Sequence, residues 1–235
     1  MKAIAGYLEL CRVSNLPTVW TDVLAACLLA GGPLPLAVYL LVTLALSSLY
    51  MAGMSLNDVC DVEHDRLNRP SRPIPAGRVS KKEALHLVLI LFASGLILVG
   101  AAPHPGGFFA SILLVALIVA YDVRHKDQPL SVLLMASCRF LVFVIASLAL
   151  TGRLNELVAL GGGIQFLYVL FISLVARREN QRPIPFGFPV VPAMLAGISL
   201  VDGIVMATLV SLPWLAAGMV GMGLTWTGQQ AIRGD

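Results

Sequence analysis

Apolar runs of membrane-spanning length alternate with short polar stretches from one end of the chain to the other. A helix needs roughly 20 predominantly apolar residues to cross the hydrocarbon of a bilayer. The pattern predicts about eight such helices: Leu16–Gly31, Leu34–Leu56, Ala84–Ala102, Gly107–Tyr121, Leu130–Leu150, Leu157–Val175, Phe188–Leu209 and Leu212–Thr227. Asp22 interrupts the first run, and only Ser211–Pro213 part the last two, so the pattern fits roughly seven to nine spans. Gly31-Gly32-Pro33 and Pro103-His104-Pro105-Gly106 read as tight turns outside the membrane. The expected fold class is all-α, a multi-pass transmembrane helical bundle forming one domain over 1–235.

Composition agrees with the pattern. Of the 235 residues, 58% are hydrophobic and only 12% charged, where a soluble domain carries about 25% charged residues. Water would meet large apolar patches on such a chain, whereas a bilayer requires them. The segment before Arg12 contains Glu9 and no long apolar core, so no cleavable signal peptide is expected. Cys27 and Cys138 lie in apolar runs and Cys11 and Cys60 outside them, with no metal-type pairing.

Charge placement says more than the net charge of +3. With the runs numbered in order, fourteen of the 16 Lys and Arg residues fall on one side of the membrane. The largest group, Arg66 to Lys82, follows the second run. Arg139 lies inside a span, and only Arg153 falls opposite. The excess of positive charge on cytoplasmic loops then orients both termini inward, in a cell inner membrane. The basic residues follow topology and form no aromatic-interleaved patch, so no nucleic-acid partner is expected.

The candidate chemistry follows the second run directly. In Asn57-Asp58-Val59-Cys60-Asp61-Val62-Glu63-His64-Asp65, three aspartates are spaced by three and then four. On a continuous helix that spacing places Asp58, Asp61 and Asp65 on one face. Carboxylates so close repel one another unless a cation neutralises them. Hard oxygen ligands open to a phosphate suit Mg²⁺, which completes its shell with water and substrate oxygens. The Arg/Pro-rich stretch Arg66–Arg78 follows, and arginine binds phosphate with paired donors. Carboxylates beside arginines at a membrane face point to a metal-bridged diphosphate on a lipid. A solvated, salt-bridged loop is the plainer alternative.

These residues resemble a known family. Asn57-Asp58-x-x-Asp61-x-x-x-Asp65, followed by Arg69-Pro-x-Arg72-Pro-Ile-Pro-x-Gly-Arg78-Val-Ser80, is similar to the first signature of the UbiA superfamily of intramembrane prenyltransferases. Arg12 and Asn15 resemble the polar start of that family's first helix. Tyr121 and Lys126 resemble its Tyr…Lys element, and Arg139 matches a polar position in its fifth helix. The resemblance implies an all-α bundle, usually of nine spans, around a central cavity. It implies transfer of a prenyl group from an isoprenoid diphosphate to an acceptor, often aromatic, with Mg²⁺ as cofactor. It implies catalytic roles for Asp58, Asp61, Asp65 and Lys126, and metal ligation by these three aspartates with Asn57. Asn15, Arg72, Tyr121 and Arg139 become candidates for holding the substrate and its diphosphate.

One departure stands out. The family's second aspartate motif is replaced by Ser173-Leu-Val-Ala176-Arg177-Arg178-Glu179-Asn180, which has no aspartate. The pattern is similar to the EboC-type branch. Glu179 is the remaining candidate metal ligand there, and Arg177 a candidate replacement for a metal's charge against the diphosphate. A ninth apolar run is not seen. The departure keeps a second reading open, an isoprenoid- or lipid-diphosphate binder or transporter without chemistry, whose charged residues within spans (Asp22, Arg139, Asp202) would line a passage.

Overall fold

A computed structural model describes residues 2–124, 131–180 and 188–232. Ten α-helices lie among the described residues: α1 Lys2–Leu10, α2 Leu16–Ala30, α3 Leu36–Cys60, α4 Val62–Asn68, α5 Lys81–Gly100, α6 Gly106–Arg124, α7 Ser131–Thr151, α8 Glu156–Asn180, α9 Val190–Leu209 and α10 Leu215–Ala231. The eight longer ones match the eight predicted runs in order. Among the described residues, six stretches are long and apolar enough to cross a membrane, beginning at Val13, Leu36, Lys81, Ser131, Glu156 and Val190. In α6 the qualifying apolar stretch is shorter, Gly106–Asp122, and α10 has 17 residues.

Burial separates the helices by role. The central helix is α2, which touches α3, α7, α8, α9 and α10 and is buried over most of its length. At the edge lies α5, where Leu85, Leu89, Ile90 and Ile97 face outward. A helix apolar on all sides is what hydrocarbon permits and water does not. The start of α5 is set by a capping box: Glu83 N–H donates to Ser80 Oγ at 3.2 Å, and Ser80 N–H donates to Glu83 Oε2 at 2.9 Å. The main core gathers Val19, Val23, Leu46, Phe143, Ile145 and Met206 from α2, α3, α7 and α9.

Two elements were not foreseen. Helix α1 and the 69–80 loop pack with the end of α3 in a second, smaller core of Leu10, Val59, Val62, Ile74, Val79 and Ala84. An ion pair from Arg78 Nη1 to Glu9 Oε2, at 2.5 Å, ties the loop to α1. These residues form a platform beneath the aspartate segment.

Apolar lipid gives helices little reason to associate, so close packing of small residues matters. Helices α9 and α10 meet at Gly203 and Gly218, where a Cβ on Gly218 would lie 2.6 Å from the Ser199 carbonyl oxygen and 2.8 Å from Gly203 N. Gly218→Leu should therefore destabilise the bundle by ~1–3 kcal/mol, the usual penalty of overpacking. Gly223→Ala, on the same helix but in open space, should be neutral or slightly stabilising. Thermal melting of the purified variants in one detergent checks the contrast.

Candidate active site

Helix α3 runs past the predicted end at Leu56 to Cys60, so Asn57 and Asp58 sit in its last turn. Asp61 forms the junction with α4, at φ −93° and ψ 5°. The three aspartates therefore lie on two successive helices joined at Asp61 rather than on one continuous helix. The cause is local. Asp61's ψ near zero turns the chain, and α4 then buries Val62 in the smaller core. Helical spacing survives the turn, because Asp61 N–H donates to the Asn57 carbonyl at 2.9 Å and Asp65 N–H to the Asp61 carbonyl at 2.8 Å.

Asp58 and Asp65 consequently converge on one cation. Arg72 Nη1 lies 3.2 Å from Asp58 Oδ1 and 2.7 Å from Asp65 Oδ2. Arg12 Nη2 approaches the same Asp58 oxygen at 3.3 Å. Asp58, Asp65 and Arg72 are all buried, and a buried carboxylate persists only when paired. Arg12 reaches this position from a left-handed backbone, φ 46° and ψ 48°, which is uncommon for a side chain with a Cβ. The turn it makes joins α1 to α2 through the short 3₁₀ helix Val13–Asn15.

Beside this cluster a cavity of about 220 Å³ opens between α2, α3, α6, α7, α8 and α9. Arg12, Asn57, Tyr121 and Asp122 line it near the aspartates, and Asn15, Tyr50 and Arg139 lie along its wall. Most of the remaining lining is apolar, including Val19, Leu46, Ile118 and Val142. The structure thus brings Asn15, Asn57, Tyr121 and Arg139 to one cavity, with Asp58 linked to it through Arg12. Gln229 of α10 fixes Asn15, donating to its Oδ1 at 2.9 Å.

Other candidates are placed differently. Arg72 faces the aspartates and is not among the cavity-lining residues. At the end of α8, Arg177 Nη2 donates to Ser131 Oγ at 3.1 Å, tying α8 to the start of α7. Lys126 lies outside the described residues. Among the described residues no group of three His, Cys, Asp or Glu side chains could hold a metal ion. Of the expected ligand set Asn57, Asp58, Asp61, Asp65 and Glu179, the first four lie along the end of α3 and the start of α4, and Glu179 lies at the end of α8. A smaller fit remains. Asp58 and Asp65 already share one positive charge, and their oxygen-only chemistry suits Mg²⁺.

Sequence reasoning missed Asp122. It is buried in the cavity wall, and Asn57 Nδ2 donates to its Oδ1 at 3.1 Å. A signal existed: a carboxylate ending an apolar run, next to the tyrosine already singled out. Gln165 was missed too. It is fully buried in α8 and reaches Asp202.

The model of the UbiA prenyltransferase family matches residues 16–231. The chain belongs to the UbiA prenyltransferase family. It is 29% identical over 175 residues to a digeranylgeranylglyceryl phosphate synthase of Sulfolobus acidocaldarius, covering 73% of this chain and 61% of that protein. A relative of the same name from Ignicoccus hospitalis is 28% identical over 176 residues, covering 74% and 57%. The chain thus spans about three fifths of these relatives' lengths. A solved UbiA homologue from Archaeoglobus fulgidus, described as bound to DMAPP and Mg²⁺, superposes with a TM-score of 0.63 at 17% identity, over 96% of this chain and 86% of that one. A UbiA homologue from Aeropyrum pernix gives 0.61 at 19% identity, over 91% and 93%. At these identities the structures establish the UbiA fold.

The Arg72 pairing makes a prediction. Arg72→Gln leaves Asp58 and Asp65 buried with only Arg12 nearby, which should cost about 3 kcal/mol in metal-free buffer. Mg²⁺ should recover more of the melting temperature in this variant than in the wild type. Equal Mg²⁺ effects in the two proteins would remove the cation seat between these carboxylates.

Proposed function

We propose that this integral membrane protein transfers an isoprenoid group from its diphosphate to an acceptor in the cavity, as one domain with Mg²⁺ as cofactor. The observation that carries the reading is the pair Asp58 and Asp65, focused on one positive charge and linked through Arg12 to a largely apolar cavity. Family membership supports the chemistry. The description of the Archaeoglobus homologue supports both the metal and an allylic diphosphate donor.

Asp58 and Asp65, with Asp61 and Asn57 beside them, would hold the ion. When bound, Mg²⁺ would neutralise diphosphate charge and improve pyrophosphate as a leaving group. Arg12 and Tyr121 would contact the diphosphate at the cavity mouth, joined by Lys126 and by Arg72 once it releases the carboxylates. Arg177 would replace the charge of a second ion, and Glu179 is left as a secondary ligand. The allylic C–O bond breaks, and its electron pair leaves on pyrophosphate. The freed isoprenoid carbon bonds to the acceptor's nucleophilic atom, which gives up a proton. Val19, Leu46, Ile118 and Val142 keep water from intercepting the carbon. The family resemblance supports an aromatic acceptor, and the relatives' name supports a prenylated glyceryl phosphate.

The second reading, diphosphate binding without chemistry, draws on the Ala176–Glu179 stretch, which has no aspartate. One experiment separates them. Protein reconstituted in lipid should release pyrophosphate from geranyl, farnesyl or geranylgeranyl diphosphate only with Mg²⁺, and faster with the correct acceptor. Asp61→Asn should lower that rate at least ~100-fold, the scale of removing an essential electrostatic group. Mg²⁺-dependent donor binding without release would favour the binder.

The reading also places the aspartate end on the cytoplasmic side of a cell inner membrane, where the basic loops gather. In a background with the native cysteines replaced, a cysteine at Ser80 should be shielded from an impermeant thiol reagent added to intact cells. One at Arg153 should be labelled. The opposite pattern would invert the topology.

A further inference from the structure

Helices α3 and α6 meet over two successive turns in the cavity wall. At Gly53 of α3 a Cβ would lie 3.2 Å from Ile118 Cγ2 of α6, so the missing side chain lets the helices come close there. One turn further along each helix stand Asn57 and Asp122. There Asn57 Nδ2 donates to Asp122 Oδ1 at 3.1 Å. All four residues line the cavity. The close approach at Gly53 thus sets Asn57 and Asp122 within reach of one hydrogen bond across the helix contact.

An asparagine amide has a donor end and an acceptor end, and its terminal torsion is broad and nearly two-fold. Nothing in the residue itself decides which end faces a site. Here the partner decides. A carboxylate only accepts, so Asp122 draws the amide nitrogen, and the amide oxygen is turned away from α6. Asp122 is buried, whereas Asn57 is half-buried, so Asp122 stands behind Asn57. Asn57 also precedes Asp58 in the chain, and Asp61 follows it by one turn, its N–H donating to the Asn57 carbonyl at 2.9 Å. The amide oxygen thus belongs to the helix end that carries the aspartates.

We propose that Asp122 is a positioning residue that fixes the Asn57 amide with its oxygen toward the cation seat of the aspartates. Asn57 then offers Mg²⁺ an oxygen and not its amide hydrogens. The proposal deepens the prenyl-transfer reading and rests on its Mg²⁺ assignment. A flipped Asn57 would turn a hydrogen-bond donor toward a cation, which repels it. Groups that orient a ligand from behind are worth on the order of 10–100-fold in metal affinity. Asp122 does this without touching the ion or the substrate.

Binding can be read without turnover. The full chain in lipid nanodiscs would be titrated with Mg²⁺ in the presence of geranyl S-thiolodiphosphate, a slowly reacting analogue of the donor, and the half-saturating Mg²⁺ concentration recorded. Asp122→Asn keeps the side chain's size but can donate as well as accept, so Asn57 can present either end. Half-saturation should rise about tenfold. In an Asn57→Ala background the same substitution should change it by less than about twofold, because Asp122 acts through Asn57. An effect of the Asp122 charge on the ion through space would persist there in full. The exchange of both residues, Asn57→Asp with Asp122→Asn, again sets a donor on α6 against an oxygen ligand on α3. It should bring half-saturation to no more than about threefold the wild-type value. A bond that only ties α3 to α6 would lower the melting temperature of Asp122→Asn and leave its Mg²⁺ dependence unchanged. Three results would overturn the proposal: unchanged half-saturation in Asp122→Asn, the full rise in the Asn57→Ala background, or an exchange variant as weak as Asp122→Asn. If Asn57→Ala abolishes Mg²⁺ dependence, the exchange decides alone. A wild type whose analogue binding ignores Mg²⁺ would sink the metal assignment and this proposal together. Mg²⁺-dependent binding that Asp122→Asn weakens, in a protein that never releases pyrophosphate from the true donors, would sink prenyl transfer alone.

Discussion

A charge inside hydrocarbon must be neutralised by the protein itself, because no water is there to do it. That requirement organises this bundle. Asp22 enters the membrane on α2 and meets Arg139 of α7, while Asp202 of α9 is held by Thr21 of α2 and Gln165 of α8. Four helices are thereby fixed around one buried polar centre. The central place of α2 follows from this, since it carries Asp22 and Thr21 and touches every helix that supplies a partner. Apolar packing alone would specify these neighbours weakly, because lipid chains are as apolar as leucine.

The same requirement acts at the aspartate end with a different outcome. Asp58 and Asp65 are buried and repel each other, and Arg72 and Arg12 supply the opposing charge. Arg12 does so from a strained left-handed backbone, so the chain accepts local strain to bring a cation there. Arg72 arrives on a loop clamped by the smaller core and by the Arg78–Glu9 pair. A site whose carboxylates are already balanced by arginines is suited to exchanging one positive charge for another as ligands arrive. This end of the bundle carries the aspartate-rich stretch on which the chain's resemblance to the UbiA family rests, while the corresponding stretch of α8 has no aspartate.

Between the two polar centres lies the cavity, whose walls are mostly aliphatic. Its construction suits the proposed reaction of an isoprenoid diphosphate. Under the proposed transfer, the isoprenoid chain would find apolar surroundings, its charged head would meet arginines and carboxylates, and water would be kept from the intervening space. Asp122 and Asn57 face each other across α6 and α3 at the boundary between these zones. Their contact couples the last turn of the aspartate-bearing helix to the opposite wall.

Much of the fold was legible in the sequence because the bilayer leaves few choices. A run of apolar residues of sufficient length must be helical, since the backbone has no other internal way to satisfy its hydrogen bonds there. The eight runs therefore became eight long helices with ends displaced by a few residues, as when α3 carried on to Cys60 and took Asn57 and Asp58 into its last turn. The aspartate signature was equally legible, because its residues are adjacent in the chain. The turn at Asp61 was not, since it depends on where Val62 finds a core. Nor was the partnership of Asp22 with Arg139, or of Asp202 with Gln165, because those residues are far apart in sequence and meet only when four helices pack. Spacing along one helix determines which side chains share a face. Which face meets which, and so which charge answers which, is decided by tertiary packing alone.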